Sequence, residues 1–155
     1  MKKLLTLSLI LLSLSALAGD LPDPKITPGA INPNVTQSNI NTNICVSGWT
    51  QTIRPSSSYT NKLKISQMKA MGLTGPLSLY EEDHLISLQL GGHPTDPKNL
   101  WPQVWDGTWG AHKKDQVETR LKVLVCSGKL PLAQAQHDIA TNWIAAFQKY
   151  VVVKK

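Results

Sequence analysis

Residues 80–103 read YEEDHLISLQLGGHPTDPKNLWPQ, and the rest of the chain is expected to be organised around them. Apolar and polar residues alternate toward the end of 84–90 with the period of a half-buried strand, and a Gly-Gly pair then ends it. The prolines of the loop 93–98 favour extended or turn backbone. The stretch therefore predicts a strand over 84–90 and a loop that returns Asn99 to the beginning of that strand.

This return is expected to bring chemically useful side chains together. Asp83 and His84 are adjacent, and Asn99 is expected beside them. Carboxylate and amide oxygens are hard ligands that suit Mg²⁺, Ca²⁺ or Mn²⁺, and a neighbouring histidine takes a proton from water near neutral pH. The three residues predict a hydrolytic metal site, with a purely structural histidine as the alternative. Glu81 and Glu82 are expected to tune the site or orient the histidine, with solvent exposure of at least one as the alternative.

The order of these features is similar to that of a known enzyme superfamily. An Asp-His pair, a Gly-Gly turn, a DPxN turn, an Asn-Leu pair and an amphipathic helix follow one another along the chain. This order resembles the HNH, or ββα-metal, endonuclease superfamily in its Asp-His…Asn variant, over residues 81–126. The pattern DHLISLxLGG…NLWP also resembles a subgroup of small secreted bacterial and phage proteins, over residues 36–143.

The resemblance implies an α+β fold with a small ββα-metal core, additional flanking helices and an irregular N-terminal arm. It implies that Asp83 and Asn99 bind one divalent ion, that His84 is the general base, and that the enzyme hydrolyses phosphodiester bonds of nucleic acid. Mg²⁺ is the expected ion and Mn²⁺ the alternative, whereas Zn²⁺ is less favoured because no second pair of histidine ligands follows Asn99. DNA is expected ahead of RNA, although the residues alone do not separate the two.

A helix predicted over 111–127 contributes further site candidates. His112 or Asp115, near its start, is expected to be a third ligand or to orient the other ligands. A solvent-exposed helix start, with acids near the positive end of the dipole, is the equal alternative. Basic residues expected to hold substrate phosphates, with a solvated surface as the alternative, are Arg54, Lys113, Lys114 and Arg120.

A binding protein without catalysis is the competing function. Removal of residues 1–18 leaves 14 basic and 10 acidic residues, a formal charge of +4. This charge is compatible with a polyanionic partner but does not demand one. A secreted binding or interaction protein on a degenerate HNH scaffold therefore stays open, and the sequence does not indicate whether an immunity or inhibitor protein binds.

The amino terminus indicates export. A basic pair, an apolar run over 4–14 and an Ala-Leu-Ala triplet form the pattern of a signal peptide over 1–18, with cleavage before Gly19. The run is short for a membrane span, so no stable membrane association is expected, and a retained anchor is the alternative. The protein is expected to be periplasmic or secreted.

The remaining chain predicts an arm followed by one domain. Residues 19–43 are rich in Pro, Asn and Thr without apolar periodicity and predict an extended arm, and 44–155 predict a single HNH-like domain. Cys45 and Cys126 are the only cysteines, and in an exported protein they are expected to form a disulfide. Two separate buried thiols are the alternative. One cysteine pair excludes a four-cysteine zinc site.

Periodicity predicts the flanking elements. A short strand is expected over 49–53, a helix over 60–71 with Thr60 as its N-cap, and a last helix over 130–153. The Trp- and Gly-rich connector over 104–112, together with Trp101 just before it, predicts a loop whose indoles cover the core, with stacking on unpaired bases as the alternative. In the helix over 60–71, the side chains expected to face inward are Leu63, Met68 and Met71, and those expected to face solvent are Lys62, Lys64 and Lys69.

Overall fold

The structure, a computed structural model, describes residues 20–152. The signal peptide predicted over 1–18 lies outside the described residues. Helices and a two-stranded antiparallel sheet share the fold, so the chain is α+β as predicted. Within residues 20–152, no helix is both long and apolar enough to cross a membrane. In chain order the helices and strands are α1 (Trp49–Ile53), α2 (Ser57–Ala70), β1 (Tyr80–His84), β2 (Leu100–Val104), α3 (Ala111–Cys126) and α4 (Leu132–Tyr150).

The sheet is a hairpin whose first strand differs from the sequence prediction. β1 pairs antiparallel with β2, and His84 lies opposite Leu100. The strand predicted over 84–90 is wrong, because β1 ends at His84 and Leu88–Leu90 form a 3₁₀ turn. Ile86 bonds through both backbone groups to the Asn99 side chain instead of to a strand. The alternation over 84–90 therefore marks buried loop residues.

The loop between β1 and β2 is tightly packed, and this packing requires a glycine at position 92. A Cβ at Gly92 would lie 1.7 Å from the carbonyl oxygen of Ile86, so no larger residue fits there. Backbone bonds from the N-terminal segment cover the same loop, since Gly29 N–H donates to Lys98 O and His93 N–H donates to Ala30 O. The described residues of the arm predicted over 19–43 are not simply extended, because they include a 3₁₀ helix, Gln37–Thr42, and they pack against the loop.

Most of the core lies between α3 and α4. Val117 and Leu121 of α3 are fully buried, as are Ile139 and Trp143 of α4. The helix predicted over 111–127 is confirmed to within one residue, and the helix predicted over 130–153 is confirmed with shorter ends. These long helices carry an apolar stripe that only a packed face explains.

The predicted disulfide is confirmed. Cys45 Sγ and Cys126 Sγ are bonded at 2.02 Å. The bond ties the last residue of α3 to the segment just before α1. A disulfide is typical of an oxidising compartment, which agrees with the expected export.

The strand predicted over 49–53 is wrong, because these residues form the short helix α1. A strand needs a neighbouring strand to satisfy its backbone groups, whereas here local bonds do so, such as Gln51 N–H to Gly48 O at 3.0 Å. The helix predicted over 60–71 is confirmed as α2, but Ser56 caps it instead of Thr60.

Two side chains near the sheet lie elsewhere than predicted. Lys64 of α2 was expected in solvent but is buried, because its ammonium donates to the carbonyl oxygens of Leu77 and Tyr80 at 3.2 and 2.8 Å. Trp101 belongs to β2 and is buried, so the Trp-rich loop begins after Val104. Burial of Lys64 fixes α2 against the start of β1.

Candidate active site

His84, the last residue of β1, lies in the wall of an open cleft of about 360 Å³ between α2 and the sheet. The side chain is largely buried, with 6% of its surface exposed. Polar and charged residues dominate the cleft wall. Besides His84, the wall includes Arg54, Lys64, Tyr80, Glu81, Glu82 and Trp105.

The imidazole of His84 is held in one tautomer. Its Nε2 lies 2.9 Å from Pro94 O, and a carbonyl oxygen only accepts, so Nε2 carries the hydrogen and Nδ1 carries the lone pair. No partner for Nδ1 is found in the described part of the chain. Burial lowers the pKa of His84 to about 4, although the bond to Pro94 opposes this effect. At neutral pH the ring is therefore a neutral imidazole with an unshared lone pair.

Asn99, predicted as a metal ligand, uses its amide to hold the loop. The side chain is completely buried. Its Oδ1 accepts from the N–H groups of Ile86 and Ala30 at 2.9 and 3.3 Å. Its Nδ2 donates to Ile86 O and His93 O at 3.0 and 3.1 Å. The backbone of Asn99 does lie beside β1, but every polar atom of its side chain is engaged inside the loop.

Asp83, the other predicted ligand, faces away from the cleft and toward α3. Its Oδ2 lies 2.8 Å from the ammonium of Lys114. The same ammonium donates to Glu118 Oε1 at 2.5 Å and to His84 O at 2.7 Å. Burial alone lowers the pKa of a lysine, but the charges of Asp83 and Glu118 outweigh it and raise the pKa of Lys114. Lys114 is therefore a charged lysine buried among oxygen atoms.

Asp83 and Asn99 do not fit a shared divalent ion in this arrangement. Asn99 Oδ1 already accepts two hydrogen bonds, and Asp83 is already paired with Lys114. Across residues 20–152, no group of three or more His, Cys, Asp or Glu side chains is placed to hold a metal ion. Asp83 and His84 are adjacent in sequence, but their side chains contact different neighbours.

The residues predicted near the start of α3 do not join Asp83. His112 is exposed, and its ring centroid lies 5.5 Å from that of Trp105. Its Nε2 is 3.9 Å from Asp106 Oδ1. Asp115 is on the surface of α3, where partial burial and the nearby charge of Glu118 raise its pKa. The structure gives neither residue a partner in a metal site.

Only one of the predicted phosphate-binding residues lines the His84 cleft, and this residue is Arg54. Lys114 is 1% exposed and cannot reach a substrate. The Lys113 ammonium lies 5.3 Å from the ring centroid of Phe147, and Arg120 Nε donates to a backbone oxygen of α4 at 3.2 Å. The structure therefore places Lys113, Lys114 and Arg120 outside the wall of the His84 cleft.

Two acids of the cleft are more buried than the solvent-exposed alternative from the sequence allowed. Both carboxyl oxygens of Glu82 are buried and lack a hydrogen-bond partner among residues 20–152. Burial raises the pKa of Glu82 to about 8. Burial, and then the charges of Asp83 and Asp115, raise the pKa of Glu81 to about 8 as well. Neither acid is solvent-exposed, and both carry a proton at neutral pH.

Lys114 and Glu118 form the second feature missed from the sequence. They lie four residues apart on α3, which is the spacing of a helical ion pair, so their contact could be predicted from the sequence. Their burial could not be predicted from the sequence, because it depends on how α3 packs against β1.

Comparison with known proteins finds no matching family model, no matching curated protein and no matching solved structure.

Proposed function

We propose that this protein is an exported nuclease that cleaves phosphodiester bonds of nucleic acid with His84 as the base. The main support is the state of His84, a neutral imidazole whose Nδ1 lone pair is unshared and whose Nε2–H is fixed by Pro94 O. A neutral histidine with a free ring nitrogen in the wall of an open cleft can accept a proton from an attacking hydroxyl group. Arg54, in the same cleft, supplies the positive charge that a phosphate requires.

The order of elements also supports the proposal. Two antiparallel strands are followed by a helix, α3, that contacts the first strand through Lys114. This order is the one implied by the resemblance to the HNH, or ββα-metal, superfamily. Assignment to that superfamily is part of the proposal.

The chemistry uses two titratable groups of the cleft, His84 and Glu81. His84 Nδ1 takes the proton of the attacking hydroxyl, which belongs to water or, in RNA, to the adjacent 2′-hydroxyl. That oxygen bonds to phosphorus while the bond from phosphorus to the leaving oxygen breaks. Glu81, protonated below about pH 8, donates a proton to the leaving oxygen. Solvent then restores the proton of Glu81 and removes the proton of His84.

No step is assigned to a divalent ion, because Asp83 and Asn99 are both engaged within the protein. Charge stabilisation of the phosphate comes from Arg54 instead. Mg²⁺ dependence stays a prediction of the sequence, and the experiment below measures it directly.

A binding protein without catalysis is the second candidate. It is favoured by the same two observations that oppose a metal site, the neutralised Asp83 and the fully bonded Asn99 amide. If the protein only binds, the cleft lined by Arg54 and His84 holds an anionic ligand and releases it unchanged.

The deciding experiment compares purified, disulfide-intact wild type with His84→Ala. Plasmid DNA, single-stranded DNA and RNA are incubated with each protein in Mg²⁺, in Mn²⁺ and in EDTA. We expect cleavage by the wild type and a loss of roughly 10²- to 10⁴-fold in His84→Ala, the typical worth of a positioned base. His137→Ala is the matched control, since His137 is an exposed histidine of α4 with 70% of its side chain accessible.

Two results would count against the nuclease. Equal cleavage by wild type and His84→Ala means that the activity does not come from this base. No cleavage of any substrate by a folded wild type favours the binding protein.

A further inference from the structure

Lys114 joins β1 to α3 through three oxygen atoms. Its ammonium lies 2.8 Å from Asp83 Oδ2, 2.7 Å from His84 O and 2.5 Å from Glu118 Oε1. Two of these oxygens belong to β1 and one belongs to α3 itself. With 1% of its surface exposed, the side chain is sealed from solvent.

The oxygen cage around Lys114 is completed by a further bond. Ser87 Oγ donates to Glu118 Oε2 at 2.7 Å, so both oxygens of Glu118 are engaged. Two carboxylates and a backbone carbonyl are also the oxygen set that a hard divalent cation takes in proteins. In this chain, the position among those oxygens is filled by a lysine.

We propose that the Lys114 ammonium is the built-in cation of this site, which keeps β1 and α3 joined without a divalent metal ion. Lys114 does not touch substrate. Through His84 O it fixes the backbone that carries the imidazole, and it is therefore a positioning residue. The link to His84 rests on the proposed function, whereas the joining of β1 and α3 does not.

The first test measures thermal unfolding and cleavage by the wild type with EDTA, Mg²⁺, Mn²⁺ or Ca²⁺. A specifically bound ion at a hundred times its Kd would raise the Tm by roughly 5–10 °C. We expect a change of less than about 1 °C with each ion. We also expect cleavage rates in EDTA and Mg²⁺ within about threefold of each other, since loss of a catalytic metal lowers rates far more. A saturable rise in Tm, or cleavage only with an ion, overturns the proposal.

The second test removes the ammonium in Lys114→Ala. This change leaves Asp83 and Glu118 facing each other across an emptied space. We expect a lower Tm that Mn²⁺ or Ca²⁺ raises in a saturable way and that EDTA lowers again. Lys122→Ala on the same helix is the control, because no carboxylate lies within ion-pair distance of Lys122 in the described part of the chain. A Lys114→Ala protein as stable as the wild type contradicts the proposal.

Lys114→Ala carries a risk of not folding, so Glu118→Gln provides a milder version. It keeps the size of the side chain and removes one charge from the cage. We expect a lower Tm than that of the wild type and no response to Mn²⁺, since Lys114 stays in place. A metal-dependent rise in Tm for Glu118→Gln also contradicts the proposal.

The two readouts separate this inference from the proposed function. Absence of cleavage under every condition removes the nuclease but leaves the Tm measurements to judge Lys114. A strong Tm response of the wild type to Mn²⁺, together with cleavage, removes the built-in cation but retains the nuclease.

Discussion

The two faces of β1 have opposite characters, although the residues that define them are neighbours in sequence. Successive side chains of a strand point to opposite faces. Asp83 enters a dry cluster with Lys114 and Glu118, in which each charge meets an opposite charge. Glu82 and His84 lie along the open cleft, where the Glu82 oxygens and His84 Nδ1 have no partner among the described residues.

This difference separates what holds the site from what reacts in it. A buried polar group without a partner costs about 1–3 kcal/mol, so a fold retains such groups only where the surroundings compensate. The α3 face of β1 compensates with paired charges, whereas the α2 face leaves the Glu82 oxygens and His84 Nδ1 without partners among the described residues. Adjacent residues of one sequence motif therefore serve two different purposes.

The largest expected effect comes from Asn99, which holds the loop that connects the two faces. Asn99→Asp removes the N–H groups that bond to Ile86 O and His93 O, and it places a buried carboxylate against those carbonyl oxygens. We expect a loss of about 3–5 kcal/mol of folding free energy, or roughly 10 °C in Tm. Thermal unfolding with and without Mn²⁺ measures it.

This substitution separates a loop-holding role from a ligand role. An aspartate is a stronger ligand for a hard cation than an asparagine, so a metal-binding residue 99 predicts recovery of the Tm with Mn²⁺. A loop-holding residue predicts no recovery. Asn41→Asp is the matched control, because Asn41 is exposed in a 3₁₀ turn of the N-terminal segment.

Asn99 also shows which parts of the structure could be predicted from the sequence. α3, α4 and the disulfide were predictable because long apolar periodicity and a single cysteine pair leave few arrangements. The hydrogen bonds of Asn99 depend on the path of a loop that packs against the N-terminal segment. Sequence spacing placed Asn99 beside His84, but it did not give the direction of the amide.

Two buried lysines are a further difference from the sequence prediction. Lys64 and Lys114 have the side-chain type that is most often solvated, so the sequence assigns both to the surface. Tertiary packing surrounds each with oxygen atoms. β1 has the sequence YEEDH and lacks an apolar face. Its burial therefore depends on these two lysines and on the elements that carry them.

The second prediction concerns the cleft face alone. Arg54→Gln removes the one predicted phosphate-binding residue that lines the cleft with His84. A charge-assisted hydrogen bond contributes about 1.5–3 kcal/mol, so we expect kcat/KM to fall by about tenfold or more. The Tm is expected to stay the same, since Arg54 is exposed. Initial cleavage rates at several substrate concentrations measure the effect.

Arg120→Gln is the matched control for this change. Its guanidinium donates to Tyr150 O and lines a different surface cleft. Equal losses of cleavage in Arg54→Gln and Arg120→Gln would mean that the two arginines act through overall charge, which contradicts a specific role for the His84 cleft.

The smallest effect is a pH dependence of stability that comes from the cleft face. The pKa of Glu82 is raised from its ordinary 4.5 to about 8 in the folded protein. Between these values the folded state binds a proton that the unfolded state releases, so stability falls as the pH rises toward 8. The pKa of His84 is lowered from 6.5 to about 4, so its contribution is lost only as the pH falls below 6.5.

Between pH 6.5 and pH 8, the change in stability therefore comes from the two acids and not from His84. The wild type is expected to lose a few degrees of Tm across it, and Glu82→Gln is expected to lose less, because glutamine does not titrate. Glu81 keeps part of the slope, since its pKa is also raised to about 8. Asp106→Asn serves as the control, because the Asp106 side chain is 94% exposed. If both variants keep the wild-type slope, then Glu82 is ionised in the folded protein. Both faces of β1 would then carry buried negative charge, which contradicts the difference between them.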